Sequence, residues 1–345
     1  MTNEYLENII ACESSRLKAQ KDPFVKNGHM GMCLFLFRMY ELTHNMKYYD
    51  MAQEFLRNSC LLIKKHSKVN ISDGLSGIGL AIIHLYKKKY ITGNLYEILQ
   101  SIDNEIYRGV IQAIEYNKDF SLNGHEEALM DVALYMIERI KVCKIPQLEE
   151  RILKLFINKI INTLYQRHDF SFYLEPIPYA SNYKLARFLL LLSKAFLIET
   201  CTNRISHIWE ESRRTILAQS PYLDSNKVTL LYAFIDLQKR IVSDKRLNGI
   251  ISTFKRDITI TRITNYEIPA NSMSMLTGLP GLIELLLRMN MPYKQKDIQI
   301  LLDKMKSSYF YCMEYGEIKE NSFTGLNGVL GFILAYLDVK NTIKS

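Results

Sequence analysis

A short pattern recurs four times in this chain: a Gly, two residues, a second Gly, and then a run of apolar residues long enough for a helix. It reads GHMGMCLFLF from Gly28, GLSGIGLAII from Gly74, GLPGLIELLL from Gly278 and GLNGVLGFIL from Gly325. Gly28 and Gly74 are 46 residues apart, Gly278 and Gly325 are 47 apart, and Gly74 and Gly278 are separated by 204, four periods of about 51. A fixed period of this size marks a repeat architecture, in which each unit buries its apolar face only against its neighbours. Three more copies should therefore lie in the long interval. They are found as GHEEALMDVALYMI from Gly124, SNYKLARFLLLL from Ser181 and DSNKVTLLYAFI from Asp224, with the glycines partly or wholly replaced and the apolar helix retained.

A second kind of segment, with apolar residues at helical spacing and a charged opposite face, alternates with these runs. Residues 3–18, 46–66, 94–116, 146–166, 204–219, 244–258 and 294–313 are of this kind. A helix apolar on most faces must be surrounded, whereas one with a charged face can meet water. The expected architecture is all-α: an α/α toroid of seven helix-pair repeats, with an inner ring of apolar helices and an outer ring of amphipathic ones. An open solenoid would need polar end repeats, and the last copy, GLNGVLGFILAYL, is as apolar as any. Repetition also explains how 345 residues form one domain, 1–345, when single cores stop growing at about 250–300.

Composition excludes several classes. The net charge of +8 comes from 44 basic and 36 acidic residues scattered along the chain, and no nucleic-acid-binding module is present. The run Lys87 to Lys89 closes a helix, where basic residues suit the dipole. Six cysteines, Cys12, Cys33, Cys60, Cys143, Cys201 and Cys312, form no CxxC pair and no disulfide framework. The start, MTNEYLENII, is unlike a signal peptide, and no stretch supplies the roughly 18 apolar residues of a membrane span. The expectation is a soluble, reduced, cytoplasmic protein.

In its glycine pairs, each followed by an inner helix at about 50-residue spacing, the chain resembles the lanthionine synthetase C-like family over roughly residues 1 to 340. The passages GLSGIGLAI at Gly74 and TGLNGVLGFILAYL at Thr324 match best. The resemblance implies a cyclase that joins cysteine thiols to dehydrated serine or threonine in a ribosomally made peptide. It also implies one zinc, held by two cysteines and a histidine just before the glycines of the fifth and sixth repeats, which lowers the thiol pKa. A further histidine before the fourth repeat would transfer protons. Where the sixth repeat should read Cys-His-Gly, this chain has Leu276, Thr277 and Gly278; the fifth offers Tyr222, Leu223 and Asp224; Ala180 stands at the fourth-repeat histidine, with His168 too far upstream. No Cys or His occurs from Trp209 to Thr277. The expectation is that the family's zinc is absent and that no other cofactor replaces it.

The expected function is therefore that of a divergent, zinc-less protein in lanthipeptide-type modification, binding a ribosomal precursor peptide or a peptide-modifying enzyme. One alternative is an active thioether cyclase, or another peptide-modifying enzyme, using other residues. Another is a toroid enzyme acting on glycans or isoprenoids, although Asp73, Glu126, Glu127 and Asp224 form no recognisable carboxylate pair. The site is expected where the inner-helix N-termini converge, an end rich in unpaired N–H groups and positive dipoles. His29, His125, Glu126 and Glu127 are the catalytic or metal-ligating candidates. Tyr179, Tyr222, Asp224, Thr277 and Thr324 are the peptide-binding candidates, with Asp73 at the same end. Aromatics in the connecting loops, Phe170, Phe172, Tyr173 and Tyr183 before repeat four and Tyr309, Phe310, Tyr311 and Tyr315 before repeat seven, are suited to recognition.

Overall fold

A computed structural model describes residues 3–63, 68–115, 125–166, 179, 183–240, 244–269, 272, 274–289, 295–308, 311 and 324–344. Among the described residues, seven amphipathic helices alternate along the chain with seven apolar ones. The amphipathic set is α1 (Asn3–Ala19), α3 (Met46–Leu62), α5 (Leu95–Glu115), α7 (Gln147–Gln166), α9 (Thr202–Leu217), α11 (Lys245–Asp257) and α13 (Gln295–Lys306). The apolar set is α2 (His29–Thr43), α4 (Leu75–Lys87), α6 (His125–Val142), α8 (Lys184–Leu197), α10 (Asp224–Gln238), α12 (Leu279–Arg288) and α14 (Val329–Lys344). A helical turn, Ile260–Arg262, and a π-helix, Ile263–Glu267, stand between α11 and α12.

Burial separates the two sets as their sequences require. In α3 only Tyr48, Ala52, Phe55 and Ser59 are buried, a single stripe at three- and four-residue spacing. In α2 nine of the fifteen residues are buried, including the consecutive run His29 to Cys33. The apolar helices form an inner ring: α2, α4, α6, α8, α10, α12 and α14 each contact the next, and α14 returns to α2. The closure is reinforced by the Arg38 guanidinium on α2, 2.5 Å from the Asp338 carboxylate on α14. Inner and outer helices are tied by packing and by occasional buried ion pairs. Arg139 on α6, fully buried, reaches Asp103 on α5 at 2.8 Å, and the Tyr135 hydroxyl donates to the other Asp103 oxygen at 2.5 Å.

The glycine pairs have a shared geometry. In three repeats the N–H of the residue after the first Gly donates to a carbonyl six residues before that Gly: His29 to Asp22 at 2.8 Å, Leu75 to Lys68 at 2.8 Å, and Leu279 to Ser272 at 3.1 Å. Each loop thus folds flat against the first turn of its inner helix. A side chain on the first Gly would collide with that carbonyl, and one on the second Gly with a carbonyl later in the same loop: Val25 against Gly31, Ile71 against Gly77, and Met275 against Gly281. Close approach, rather than a left-handed backbone, is therefore what demands glycine. Gly28, Gly74 and Gly278 are extended, and among the described motif glycines Gly325 alone has positive φ, at 73°.

Gly77→Ala would drive a methyl group into the Ile71 backbone and is expected to destabilise the protein by ~2 kcal/mol or more. Gly249, inside exposed α11, has nothing within 4 Å of where its Cβ would stand. Gly249→Ala should therefore stabilise by about 0.5–1 kcal/mol. Urea unfolding of the two variants checks the contrast in sign.

Candidate functional site

The loops that precede the inner helices meet at one end of the ring, where they are stitched to one another. The Lys26 N–H donates to the Ser72 carbonyl at 3.0 Å, joining the first and second repeats, and the Asn327 N–H donates to the Lys26 carbonyl at 3.0 Å, joining the seventh to the first. The Asn327 side-chain oxygen accepts from the Ser274 hydroxyl at 2.9 Å and the Leu276 N–H at 3.2 Å, adding the sixth. Three buried carboxylates serve the same end. Glu13 accepts the Gly325 N–H at 3.1 Å and pairs with Arg16 at 2.8 Å. Asp131 accepts the Ile71 N–H at 2.8 Å and pairs with Arg187 on the neighbouring inner helix.

The third carboxylate, Glu267, stands where the fifth repeat lacks its glycines. Its Oε1 accepts the Asp224 N–H at 2.8 Å, and its Oε2 accepts both the N–H and the hydroxyl of Ser225 at 2.8 Å. A side chain from the π-helix thus caps α10, supplying acceptors to N–H groups that a helix start leaves unpaired and placing negative charge at the positive end of the dipole. Arg262 lies 3.3 Å from Glu267 Oε1. Asp224 completes the cluster. Its Oδ1 meets the Lys227 ammonium at 2.8 Å and its Oδ2 accepts the Thr259 N–H at 3.2 Å.

This geometry sorts the residues singled out from the sequence. Thr277 is exposed, Thr324 and Asp73 are half-buried, and all three sit at inner-helix starts facing the loop end. Tyr222 is 77% exposed, with the Arg262 guanidinium 5.4 Å above its ring. Asp224 is 1% exposed and its oxygens are engaged within the protein, so it belongs to the framework below the surface. Tyr179 is equally buried, and burial raises its hydroxyl pKa. His29 is 4% exposed; its Nδ1 stands 2.7 Å from the Asp22 carbonyl, so that nitrogen carries the proton and donates. Its ring packs 5.5 Å from Phe55. His29 thus fastens the first loop to its helix and packs against an outer helix, a structural task.

Glu126 and Glu127 are half-buried in the first turn of α6. Helix α6 begins at His125, whose side chain lies outside the described residues, as do Phe170, Phe172, Tyr173, Tyr309, Phe310, Tyr315, His168 and Ala180. Tyr183 is buried at the start of α8, and Tyr311 is half-buried with its ring 5.5 Å from Tyr336. Among the described residues no three His, Cys, Asp or Glu side chains gather as a metal site.

The residues at the positions where the resemblance calls for zinc ligands do not suit zinc. Leu276 has no donor atom. The Thr277 backbone is committed to the loop, its N–H to the Ser274 hydroxyl at 3.2 Å and its carbonyl to the Ser272 hydroxyl at 2.9 Å. In the fifth repeat Tyr222 and Leu223 bring neither thiolate nor imidazole, and each oxygen of the Asp224 carboxylate already has a partner, Lys227 and Thr259. Thiolate and imidazole, the ligands that structural and catalytic zinc sites draw on, are missing from all these positions.

A closed ring of seven helix pairs, with its loops gathered at the N-terminal ends of the inner helices, defines the molecule as an α/α toroid. Residues 20–184 match the family described as lanthionine synthetase C-like protein. Among solved structures the chain is similar to nisin cyclase, with a TM-score of 0.63 at 14% identity, covering 98% of this chain and 94% of that one. No curated protein sequence matches significantly. Over residues 20–184 the chain is similar in sequence to the lanthionine synthetase C-like family, and over nearly its whole length it is similar in fold to nisin cyclase. The resemblance read from the glycine pairs is thereby borne out. The matched segment ends before the fifth and sixth repeats, where the ligand positions fall.

The Glu267 cap is the feature of this end that sequence reasoning missed. Glu267→Ala would leave two N–H groups at the start of α10 without acceptors in a buried setting, at a cost of roughly 2–4 kcal/mol. Glu267→Gln, which keeps one acceptor, should cost roughly half as much. Guanidinium unfolding of both variants checks this order.

Proposed function

We propose that this protein acts in the modification of a lanthipeptide-type ribosomal peptide, without zinc, by binding the precursor peptide or its modifying enzyme at the loop end of the ring. One observation carries the reading. The scaffold is closed and stitched, while the positions that the resemblance assigns to zinc hold Leu276 and Thr277 in the sixth repeat and Tyr222, Leu223 and Asp224 in the fifth. A ring under no demand to bind a partner would have little reason to keep its loop end ordered once the metal positions had changed.

Thr277, Thr324 and the Tyr222–Arg262 stack supply the accessible chemistry there: hydroxyls, an aromatic face and a cation. Helix-start N–H groups such as those of His29, Leu75, Asp224 and Leu279 are taken up within the protein, so recognition of a peptide falls to these accessible side chains. Tyr222 and Arg262 suit a peptide side chain, because Tyr and Arg are prominent among interface hot spots. The half-buried Glu126 and Glu127 remain candidate acid and base groups if the ring retains catalysis.

Protein purified without chelator should carry less than stoichiometric zinc by elemental analysis; one zinc per chain would overturn the zinc-less reading. With a dehydrated, cysteine-containing precursor, binding by calorimetry without loss of free thiol is expected, and thiol loss would instead identify a cyclase. Thr277→Trp and Thr324→Trp should each weaken binding by about tenfold, the scale of a truncated or blocked hot spot, with unchanged helicity. The outer-face charge swap Glu150→Lys with Lys154→Glu should leave binding intact.

A further inference from the structure

Toward the opposite end of the ring, a cavity of about 370 Å³ is lined by side chains from α4, α6, α8 and α12, and it reaches back to Ile71 in the loop before α4. Helix α12 is not next to α4 or α6 in the ring, so a space walled by all of them is the interior of the barrel. Leu80, Ile83 and Leu134 give it an apolar wall. Lys87, Lys194 and Arg288 enter it from three different helices, against one carboxylate, Glu138.

That carboxylate is oversubscribed. Lys87 and Lys141 each stand 2.9 Å from Glu138, and Lys194 stands 3.7 Å away, three ammonium groups around one negative charge. Burial works against ionisation of Glu138, yet the bonds from Lys87 and Lys141 hold its pKa down to about 2. Arg288 approaches only as near as 3.8 Å to Glu284. Basic residues in last turns are ordinary helix caps, which accounts for Lys87 and Arg288 singly. It does not account for cations of three helices converging on one partly apolar cavity.

His84 samples the same field. Facing it are Lys87 and Lys88 on its own helix, Glu41 on α2, Glu138 on α6, Lys194 on α8 and Arg288 on α12. Its pKa is lowered, first by burial and then by Lys88, with Lys87 and Arg288 adding to the effect and Glu41 opposing it.

We infer that the barrel interior binds a small amphipathic anion, its carboxylate or phosphate head among Lys87, Lys194 and Arg288 and its apolar body along Leu80, Ile83 and Leu134. The volume lies at the lower end of the roughly 300–1,000 Å³ spanned by small-molecule sites. None of the residues proposed above for peptide binding, Tyr222, Arg262, Thr277 and Thr324, lines this cavity, so the two sites are tested separately.

The test is an NMR titration of the His84 ring in the full chain, with hexanoate, hexyl phosphate, acetate and hexylammonium as probes. An anionic head beside His84 favours its protonated form, so hexanoate or hexyl phosphate should raise its midpoint by about half a pH unit or more. Whichever anion acts at lower concentration names the head group. Acetate should need at least tenfold more than hexanoate, and hexylammonium should not raise the midpoint. Lys194→Gln with Arg288→Gln, both partly exposed positions, should weaken the response at least tenfold. The inference is overturned if neither six-carbon anion moves His84, if acetate or hexylammonium matches them, or if the double variant responds like the parent.

Discussion

The packing of each loop against the first turn of its inner helix is the contact on which the ring depends. An α-helix start exposes N–H groups with no intrahelical partner, and seven such starts crowd one end of this molecule. Bulk water satisfies such groups on an isolated helix but is largely excluded when helices converge. Here the loop carbonyls of Asp22, Lys68 and Ser272 take up the N–H groups of His29, Leu75 and Leu279. Glycine is what lets those carbonyls come near enough. The repeat signature is thus a packing requirement written in sequence, and it recurs because the same requirement recurs.

The fifth repeat shows that the requirement, rather than the glycine, is what is conserved within the molecule. With Asp224, Ser225 and Asn226 where a Gly pair would stand, the α10 start takes its acceptors from Glu267, 43 residues further along the chain. Glu13 and Asp131 act in kind on the seventh and second loops, across sequence separations of 312 and 60 residues. A buried carboxylate is costly without partners. These three have N–H donors at 2.8–3.1 Å, and each has a guanidinium beside it.

Most of the fold was legible because its cause is periodic. Apolar runs after Gly28, Gly74, Gly124, Ser181, Asp224, Gly278 and Gly325 all became inner helices starting within a few residues of those points, and the amphipathic segments became the outer ring. The site was less legible. Sequence position placed Asp224, Tyr179 and His29 near the starts of inner helices but said nothing about depth, and all three are buried. Depth depends on how the preceding loop folds over the helix start, which is settled by contacts between repeats. Glu267 was invisible for the same reason: nothing near it in sequence marks a cap for a helix begun at Asp224. The charges lining the cavity were equally hidden, since Lys87, Lys194 and Arg288 each read locally as an ordinary helix end.

The separation of duties within a repeat explains how such a ring can keep its shape while its chemistry changes. Ring closure depends on inner-helix packing, on the loop carbonyls and on buried carboxylates such as Glu13, Asp131 and Glu267. The positions just before the sixth glycine pair, Leu276 and Thr277, are joined to that framework mainly through their backbones. A backbone contact is indifferent to the side chain that accompanies it, so these positions can exchange a metal ligand for a hydrocarbon or a hydroxyl with the loop still held by Ser272, Ser274 and Asn327. Asp224 is the contrary case. Its side chain is itself part of the framework, tying the 259 backbone to α10. Substituting Asp224 would therefore remove a structural carboxylate, whereas residues 276 and 277 are held through their backbones. The fifth repeat, rather than the sixth, is thus where the framework depends on a side chain at the helix start.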